Sequence, residues 1–296
     1  MTGSGLLVVG DLATDVVAAH DRPLAPATDT PARIALLPGG SAANVAAWAA
    51  DRGAATTLLA RVGAESAAWH RAELERTGVR PVLRIDPDRP TTLVVCLVDA
   101  SGERTMLNDR GASGALGLAD WDDALLDGVA WLHLSGYLLF SAPGRELTQA
   151  LLARARAAGI GASLDPASAG PLAVLGPATF LDLAAGVDLL LPNLDEARLL
   201  SGATAADQAA RRLADRTGAL VAVKLGPLGA TLAEPGHFLG RVPSPQVTAV
   251  DTTGAGDAFA GAYLAARLAG ATPLHAAERA CATAAHSVTL RGARPR

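Results

Sequence analysis

The chain has 296 residues, half of them hydrophobic and 18% charged. Such a composition excludes a disordered chain, and the length suffices for one large domain with a buried core. With 25 basic against 29 acidic residues the formal net charge is −4, which speaks against nucleic acid as a partner.

Aromatic residues make up only 3%, so the core is expected to be helices meeting through small side chains. The two cysteines, Cys96 and Cys281, sit far apart in apolar sequence. That argues against a disulfide framework and for a reducing compartment. The first ten residues lack a basic flank and a long apolar run, so no signal peptide is expected. The best membrane candidate, near Leu189, is broken by Asp188 and Pro192. The expectation is a soluble, cytoplasmic protein with no membrane partner.

In chain order, the apolar run 6–9 ends in Gly10-Asp11 and predicts a buried strand feeding a loop. Two more strands are expected over 16–20 and 33–37, either side of a turn around Pro23 and Pro26. Pro38-Gly39-Gly40-Ser41 reads as a turn, with a serine at the start of a tightly packed helix over 42–51. A strand over 57–60 and an amphipathic helix over 66–77, closed by Gly78, come next. The β-branched stretch 91–98 and its continuation over 104–107 predict a hairpin. Beyond Gly117, strands over 131–134, 161–165, 189–191 and 220–225 alternate with helices over 144–158, 195–200 and 206–217. A hairpin over 231–239 and helices over 255–268 and 273–290 close the chain. The alternation predicts βαβ units around a mostly parallel sheet, with sites at the carboxyl ends of its strands. The β-rich pieces near 12–37 and 91–109 do not alternate. They are expected to form a small sheet attached to a single domain spanning 1–296.

The strongest chemical signal is Asp251-Thr252-Thr253-Gly254-Ala255-Gly256-Asp257 at the mouth of a helix. Glycines let the backbone approach a ligand and aim several N–H groups at one spot, and a helix N-terminus favours a phosphate there. A carboxylate beside bound phosphate is unfavourable for binding alone. It makes sense if Asp257 takes a proton from a hydroxyl attacking that phosphate. The plainer alternative is a Gly-rich turn with Asp257 as an ordinary first-turn residue.

At this motif the sequence resembles the ribokinase-like (PfkB) family of carbohydrate kinases, whose signature D-T-x-G-A-G-D it matches throughout. Gly39, Gly40 and Asn44 match the family's Gly-Gly…Asn element, and Asn193 and Glu196 match N-x-x-E. Leu225-Gly226-Pro227-Leu228-Gly229 matches its Gly pair before a hairpin. All four stand in family order between about Leu6 and Gly292. The resemblance implies a three-layer αβα domain with a mostly parallel central sheet and a small β-sheet lid.

Roles follow by the same resemblance. Asp257 is implied as the catalytic base, and the backbones of Gly254, Ala255 and Gly256 as the hole for the transferring phosphoryl group of ATP. Asn193 and Glu196 are implied to order Mg²⁺ through its waters. Lys224, with Gly226 and Gly229, stands on the nucleotide side; the alternative for this single lysine of the chain is a solvated surface residue. Asp251 and Thr253 match positions that bind a monovalent cation, K⁺, with 287–292 completing that site. On the acceptor side Asp15 matches a sugar-binding aspartate, with Asp11 as its neighbour. Gly39, Gly40 and Asn44 approach the sugar from below. Arg110 either reaches the acceptor, which would then carry a carboxylate or phosphate, or faces solvent at the lid edge. Tyr137 either lines the acceptor pocket or packs in the core. A lid sheet with an exposed apolar face, like the family resemblance, implies a homodimer.

Rival motifs are absent. The only lysine is followed by Leu225, which excludes a P-loop, and position 259 is Phe, which breaks G-x-G-x-x-G. There is no G-x-S-x-G elbow, no H-E-x-x-H and no zinc spacing among the histidines. The expected activity is ATP-dependent phosphorylation of a sugar or polyol hydroxyl. A nucleoside kinase is one alternative, and a catalytically inert ligand-binding relative is another.

Overall fold

The computed structural model describes residues 3–101 and 103–296. Strand β1 (Gly5–Val9) sends Leu7 and Val9 into one apolar cluster and Leu6 and Val8 into another. An unbroken apolar run is what a strand covered on both faces requires. β2 (Ala13–Ala19) and β3 (Arg33–Gly39) pair antiparallel. Gly40, at φ +93, turns the chain into α1 (Ser41–Asp51), buried along almost its whole length through alanines. β4 (Thr56–Gly63) and α2 (Ala67–Arg76) follow. β5 (Arg80–Asp86) is an addition to the sequence reading. It carries Arg80, Pro81, Arg84 and Asp86 because it is the edge strand, paired only with β4.

The hairpin of β6 (Thr92–Val98) and β7 (Arg104–Asp109) forms as expected. The alternating half comprises β8 (Val129–Ser135), α3 (Ala142–Ala157) and β9 (Gly161–Asp165). Two further helices, α4 (Ala169–Leu175) and α5 (Pro177–Leu183), come next. Sequence reasoning missed both, because Gly170, Pro171, Gly176 and Pro177 read as loop. Gly176, at φ +91, separates them, and Pro177 opens the second. Then come β10 (Leu189–Leu190), α6 (Leu194–Ser201), α7 (Ala206–Thr217) and β11 (Leu220–Lys224). The hairpin β12 (Ala230–Glu234) and β13 (His237–Val242) precedes the last helices, α8 (Ala255–Leu268) and α9 (Pro273–Ser287).

Among the described residues the main sheet has the order β13-β12-β11-β10-β9-β8-β1-β4-β5, parallel except for the β12–β13 edge. Helices cover both faces: α3 to α7 over Leu132, Leu151 and Leu213, and α1, α8 and α9 over Val45, Tyr263 and Cys281. The second sheet has the order β3-β2-β6-β7 and is built from the stretches singled out as non-alternating. Its register puts Leu36, Val16, Val95 and Leu107 on one face and Leu37, Asp15, Val94 and Asn108 on the other. The latter face carries Asp15 toward the main domain. Cys96 and Cys281 are free and buried. No helix among the described residues is long and apolar enough to cross a membrane.

Candidate active site

The carboxyl ends of β1, β8, β9 and β11 converge with the starts of α1 and α8. Asp257 lies in the first turn of α8, after Gly254 at φ +73. Its Oδ1 accepts from Ser41 Oγ at 2.8 Å and its Oδ2 from Asn44 Nδ2 at 2.9 Å. Burial pushes the Asp257 carboxyl up to about 7, against the pull of those two hydrogen bonds. The carboxylate is therefore fixed in direction and close to neutrality in basicity, as a general base needs. Ser41 was expected to open α1 as a capping residue. Instead the cap comes from Asp11, whose carboxylate accepts from Ser41 N at 2.6 Å and Ala42 N at 3.4 Å. That frees the serine hydroxyl for the base.

On the acceptor side, Asp15 lies against Gly39, where a Cβ would come within 2.3 Å of Oδ1. Burial raises the Asp15 carboxyl to about 6, opposed by Arg294 and assisted by Asp11 and Asp251. Asp11 is committed to α1 and to Ser135 Oγ at 2.7 Å, so it shapes the loop more than it faces the cleft. Asn44 is fully partnered: its Oδ1 accepts from Arg294 Nε at 3.0 Å. Arg110 does not simply face solvent. It is half-buried and donates Nη2 to the Tyr137 carbonyl at 2.6 Å, tying the end of the small-sheet hairpin to the turn that follows β8. Tyr137 is half-buried too, packed edge-on against Phe140. Burial and the carboxylates of Asp11 and Asp257 push its hydroxyl up to about 12, so it stays a proton donor at the cleft wall.

On the opposite side, Lys224 is not a solvated lysine. Its Nζ is 2.5 Å from Asp165 Oδ2 and 3.4 Å from where a Cβ on Gly256 would sit. Burial works against its charge, but Asp165 and Glu196 outweigh burial and hold its pKa above the usual lysine value. Asn193 and Glu196 form a reciprocal cap at the start of α6: Asn193 N donates to Glu196 Oε2 at 2.8 Å, and Glu196 N to Asn193 Oδ1 at 2.9 Å. Glu196 is 1% exposed, and burial with the Asp165 carboxylate pushes its pKa upward. No group of three or more His, Cys, Asp or Glu among the described residues is arranged to enclose a metal. The Glu196 and Asp165 carboxylates feel one another's charge, but Asp165 is engaged by Lys224 and both Glu196 oxygens by Asn193, so they would meet a hydrated Mg²⁺ only through its waters. Gly226 borders open space, whereas Gly229 is demanded by its turn, at φ +94 with the Val242 carbonyl 1.9 Å from a built Cβ.

The monovalent-cation expectation meets a competing cation. Arg104 on β7 donates Nη2 to Asp251 Oδ1 at 2.6 Å and Nη1 to Thr253 Oγ1. Asp251 Oδ2 accepts from Gly292 N at 3.0 Å, so the tail does pack where the resemblance placed it. With the Arg104 guanidinium on Asp251 Oδ1 and Thr253 Oγ1 and the Gly292 amide on Asp251 Oδ2, these side-chain oxygens do not fit an added K⁺; the contact concerns them and not the backbone carbonyls that the resemblance also implies. Ser41, Ser135, Asp165, Arg104 and Arg294 are the residues that sequence reasoning did not place in the site. Asp165-Pro166 at the end of a strand was a usable signal; the others had none in the sequence.

Residues 4–296 match the family model described as pfkB family carbohydrate kinase. A 1-phosphofructokinase of Rhodobacter capsulatus is 33% identical over 233 residues, 75% of this chain and 70% of that one. An ATP-dependent ribose-1-phosphate kinase of Halopiger xanaduensis is 34% identical over 261 residues, 86% of this chain and 82% of that one. The crystal structure of a ribokinase from Thermotoga maritima superposes with a TM-score of 0.83 at 27% identity, covering 98% of this chain and 94% of that one. The chain belongs to the pfkB family of carbohydrate kinases. It is an ATP-dependent phosphotransferase acting on a hydroxyl of a sugar or related polyol.

Proposed function

We propose that Asp257 deprotonates the acceptor hydroxyl as it attacks the γ-phosphoryl group of ATP. The observation that carries this reading is the carboxylate itself: held at the helix mouth behind Gly254, Ala255 and Gly256, and oriented by Ser41 and Asn44 from the strand exit that bears the acceptor loop. The acceptor oxygen forms the new bond to the γ-phosphorus with its own electron pair as its proton passes to Asp257, and the bond from the γ-phosphorus to the β–γ bridging oxygen breaks, its electron pair leaving with ADP. The amides of residues 254–256 stabilise charge on the moving phosphoryl. Asp15, rimmed by Gly39 and Gly40, grips adjacent hydroxyls of the acceptor, and Tyr137 walls it in. Lys224 and Gly226 line the nucleotide side. Mg²⁺, carried with the nucleotide near Asn193, Glu196 and Asp165, supplies neutralising charge to the phosphate oxygens.

The acceptor class is a sugar. A sugar that already carries a phosphate is favoured by Arg110, whose remaining N–H groups stand at the acceptor end of the lid, and by the two relatives whose names specify a phosphorylated sugar. The net charge of −4 supports a small-molecule partner over nucleic acid, and the two buried free cysteines support a cytoplasmic setting. The lid's outer face exposes Ile34, Leu36 and Leu107 at 67, 62 and 60%, which supports pairing of two lids in a homodimer.

The test is ADP release from MgATP with D-ribose, D-fructose, ribose 1-phosphate, fructose 1-phosphate, a keto-deoxy sugar acid and adenosine. One sugar or sugar phosphate is expected to turn over, and Asp15→Ala is expected to raise its KM far more than that of ATP. Turnover with adenosine alone would replace the reading with a nucleoside kinase. ATP binding with no turnover on any acceptor would replace it with a ligand sensor.

A further inference from the structure

The last residues of the chain build part of the catalytic floor. Besides the Gly292–Asp251 contact, the Ala293 carbonyl accepts from Trp48 Nε1 at 2.9 Å. Ala293 also packs so closely under the anion-hole turn that a Cβ on Gly254 would lie 2.7 Å from its own. These contacts thread the tail between α1 and the start of α8. They carry Arg294 into the interior, where it is 5% exposed. Its Nη2 donates to the Gly39 carbonyl at 2.7 Å, and its Nε to Asn44 Oδ1 at 3.0 Å.

The contact with Asn44 has a chemical consequence. A side-chain amide has one acceptor end and one donor end. A guanidinium on Oδ1 leaves only the donor end for Asp257, where Nδ2 lies 2.9 Å from Oδ2. Without that cation only the hydrogen bond to Asp257 itself holds the amide, and its oxygen loses the partner that fixes its direction. Arg294 Nη1 is buried with no partner among the described residues, a cost that an apolar residue filling the same space would avoid. The arginine therefore answers to its two directed contacts and not to packing.

We propose that Arg294 is a positioning residue for phosphoryl transfer: through Asn44 it fixes the carboxylate of Asp257, and through the Gly39 carbonyl it fixes the turn beneath the acceptor. This rests on Asp257 acting as the base. The charged and titratable groups facing the pair are Asp15 from β2 and His70, Glu73 and Arg76 from α2 around Arg294. Asp165 from β9, Lys224 from β11 and Tyr137 from the turn after β8 face Asp257.

The test uses full-length protein carrying ¹³C in its aspartate carboxyls, where the resonance lost in Asp257→Asn reports the base with no acceptor present. In Arg294→Gln that resonance is expected to titrate at higher pH than in the wild type, since Asp257 loses an ordered donor and a nearby positive charge. Turnover, measured with whichever of the four neutral or phosphorylated sugars named above is accepted, is expected to fall by about 10- to 10²-fold, the scale of small misplacements at a reacting centre. MgADP affinity by calorimetry is expected to hold. Arg294→Lys, which keeps the charge and loses the fork, is expected to lie between the two, and it supplies both readouts if the glutamine variant does not fold. In an Asn44→Ala background, Arg294→Gln is expected to lose the part of its effect that runs through Asn44 and to keep the smaller part that runs through the Gly39 carbonyl. An unmoved resonance with wild-type turnover overturns the proposal, and so does a loss that only follows the folded fraction. Wild-type turnover in Asp257→Asn would instead overturn the reading on which it rests.

Discussion

As the proposed base, Asp257 has to be ionised, and its surroundings oppose ionisation. Burial raises the carboxyl to about 7, while Asn44 and Ser41 pull it back down. Below that pH the protonated form dominates and cannot accept the hydroxyl proton; above it the carboxylate is available. kcat is therefore expected to rise with pH through an acid limb near 7, to be read from the kcat profile at saturating MgATP and acceptor. A flat profile from pH 5 to 8 would contradict that assignment. Legibility at this scale depended on sequence distance. Gly254, Ala255, Gly256 and Asp257 declared themselves because the hole and the base are neighbours along the chain. Ser41 lies 216 positions from the carboxylate it contacts, and Arg294 lies 250 from Asn44. Nothing local marks either of them, since each role is created by the fold. Ser41 was even misassigned, because the preference of serine for helix starts is sound in general and was overridden here by Asp11.

At the scale of elements, the site depends on how closely α1 approaches α8. Gly261 makes that approach possible: a Cβ there would lie 2.6 Å from the Val45 carbonyl and 2.8 Å from Ala49 N. Gly261→Ala is expected to force the two helices apart, with an overpacking cost of about 1–3 kcal/mol. Since Ser41 and Asn44 ride on α1 and Asp257 on α8, the same shift separates the base from its donors. Thermal melting should fall, and kcat should drop by about tenfold or more in the folded protein, while MgADP affinity is retained. Unchanged kcat in a folded Gly261→Ala variant would mean that the helices relax without disturbing the site. Central strands such as β1 and β9 were readable because apolar runs ending in a polar residue match a strand feeding a loop. The edge strand β5 was not, because an edge tolerates the charges and proline that look like loop. Helices α4 and α5 were missed for a related reason, as glycine and proline punctuate them at intervals shorter than a typical helix.

For the whole molecule, the two sheets divide the work in the proposed reading: the parallel sheet brings Lys224 and Asp165 to its strand ends beside Asp257, and the small sheet and the turn after it carry Asp15 and Arg110. That division was legible, since the stretches 12–37 and 91–109 break the strand–helix alternation. What the small sheet leaves uncovered is its outer face, with Ile34, Leu36 and Leu107. Leu36→Asp with Leu107→Asp is expected to convert a dimer to a monomer in sedimentation velocity, whereas an unchanged sedimentation coefficient would place any dimer contact elsewhere. Arg104 also crosses from this sheet to Asp251 and Thr253, so lid and anion hole are physically joined. The most direct test of the whole account remains the carboxylate at their junction. Asp257→Asn keeps the shape and one of the two acceptor oxygens but removes the base. Measured beside the wild type with saturating MgATP and the accepted sugar, its kcat is predicted to fall by at least ~10²-fold with MgADP binding intact. Wild-type kcat in that variant would contradict the account.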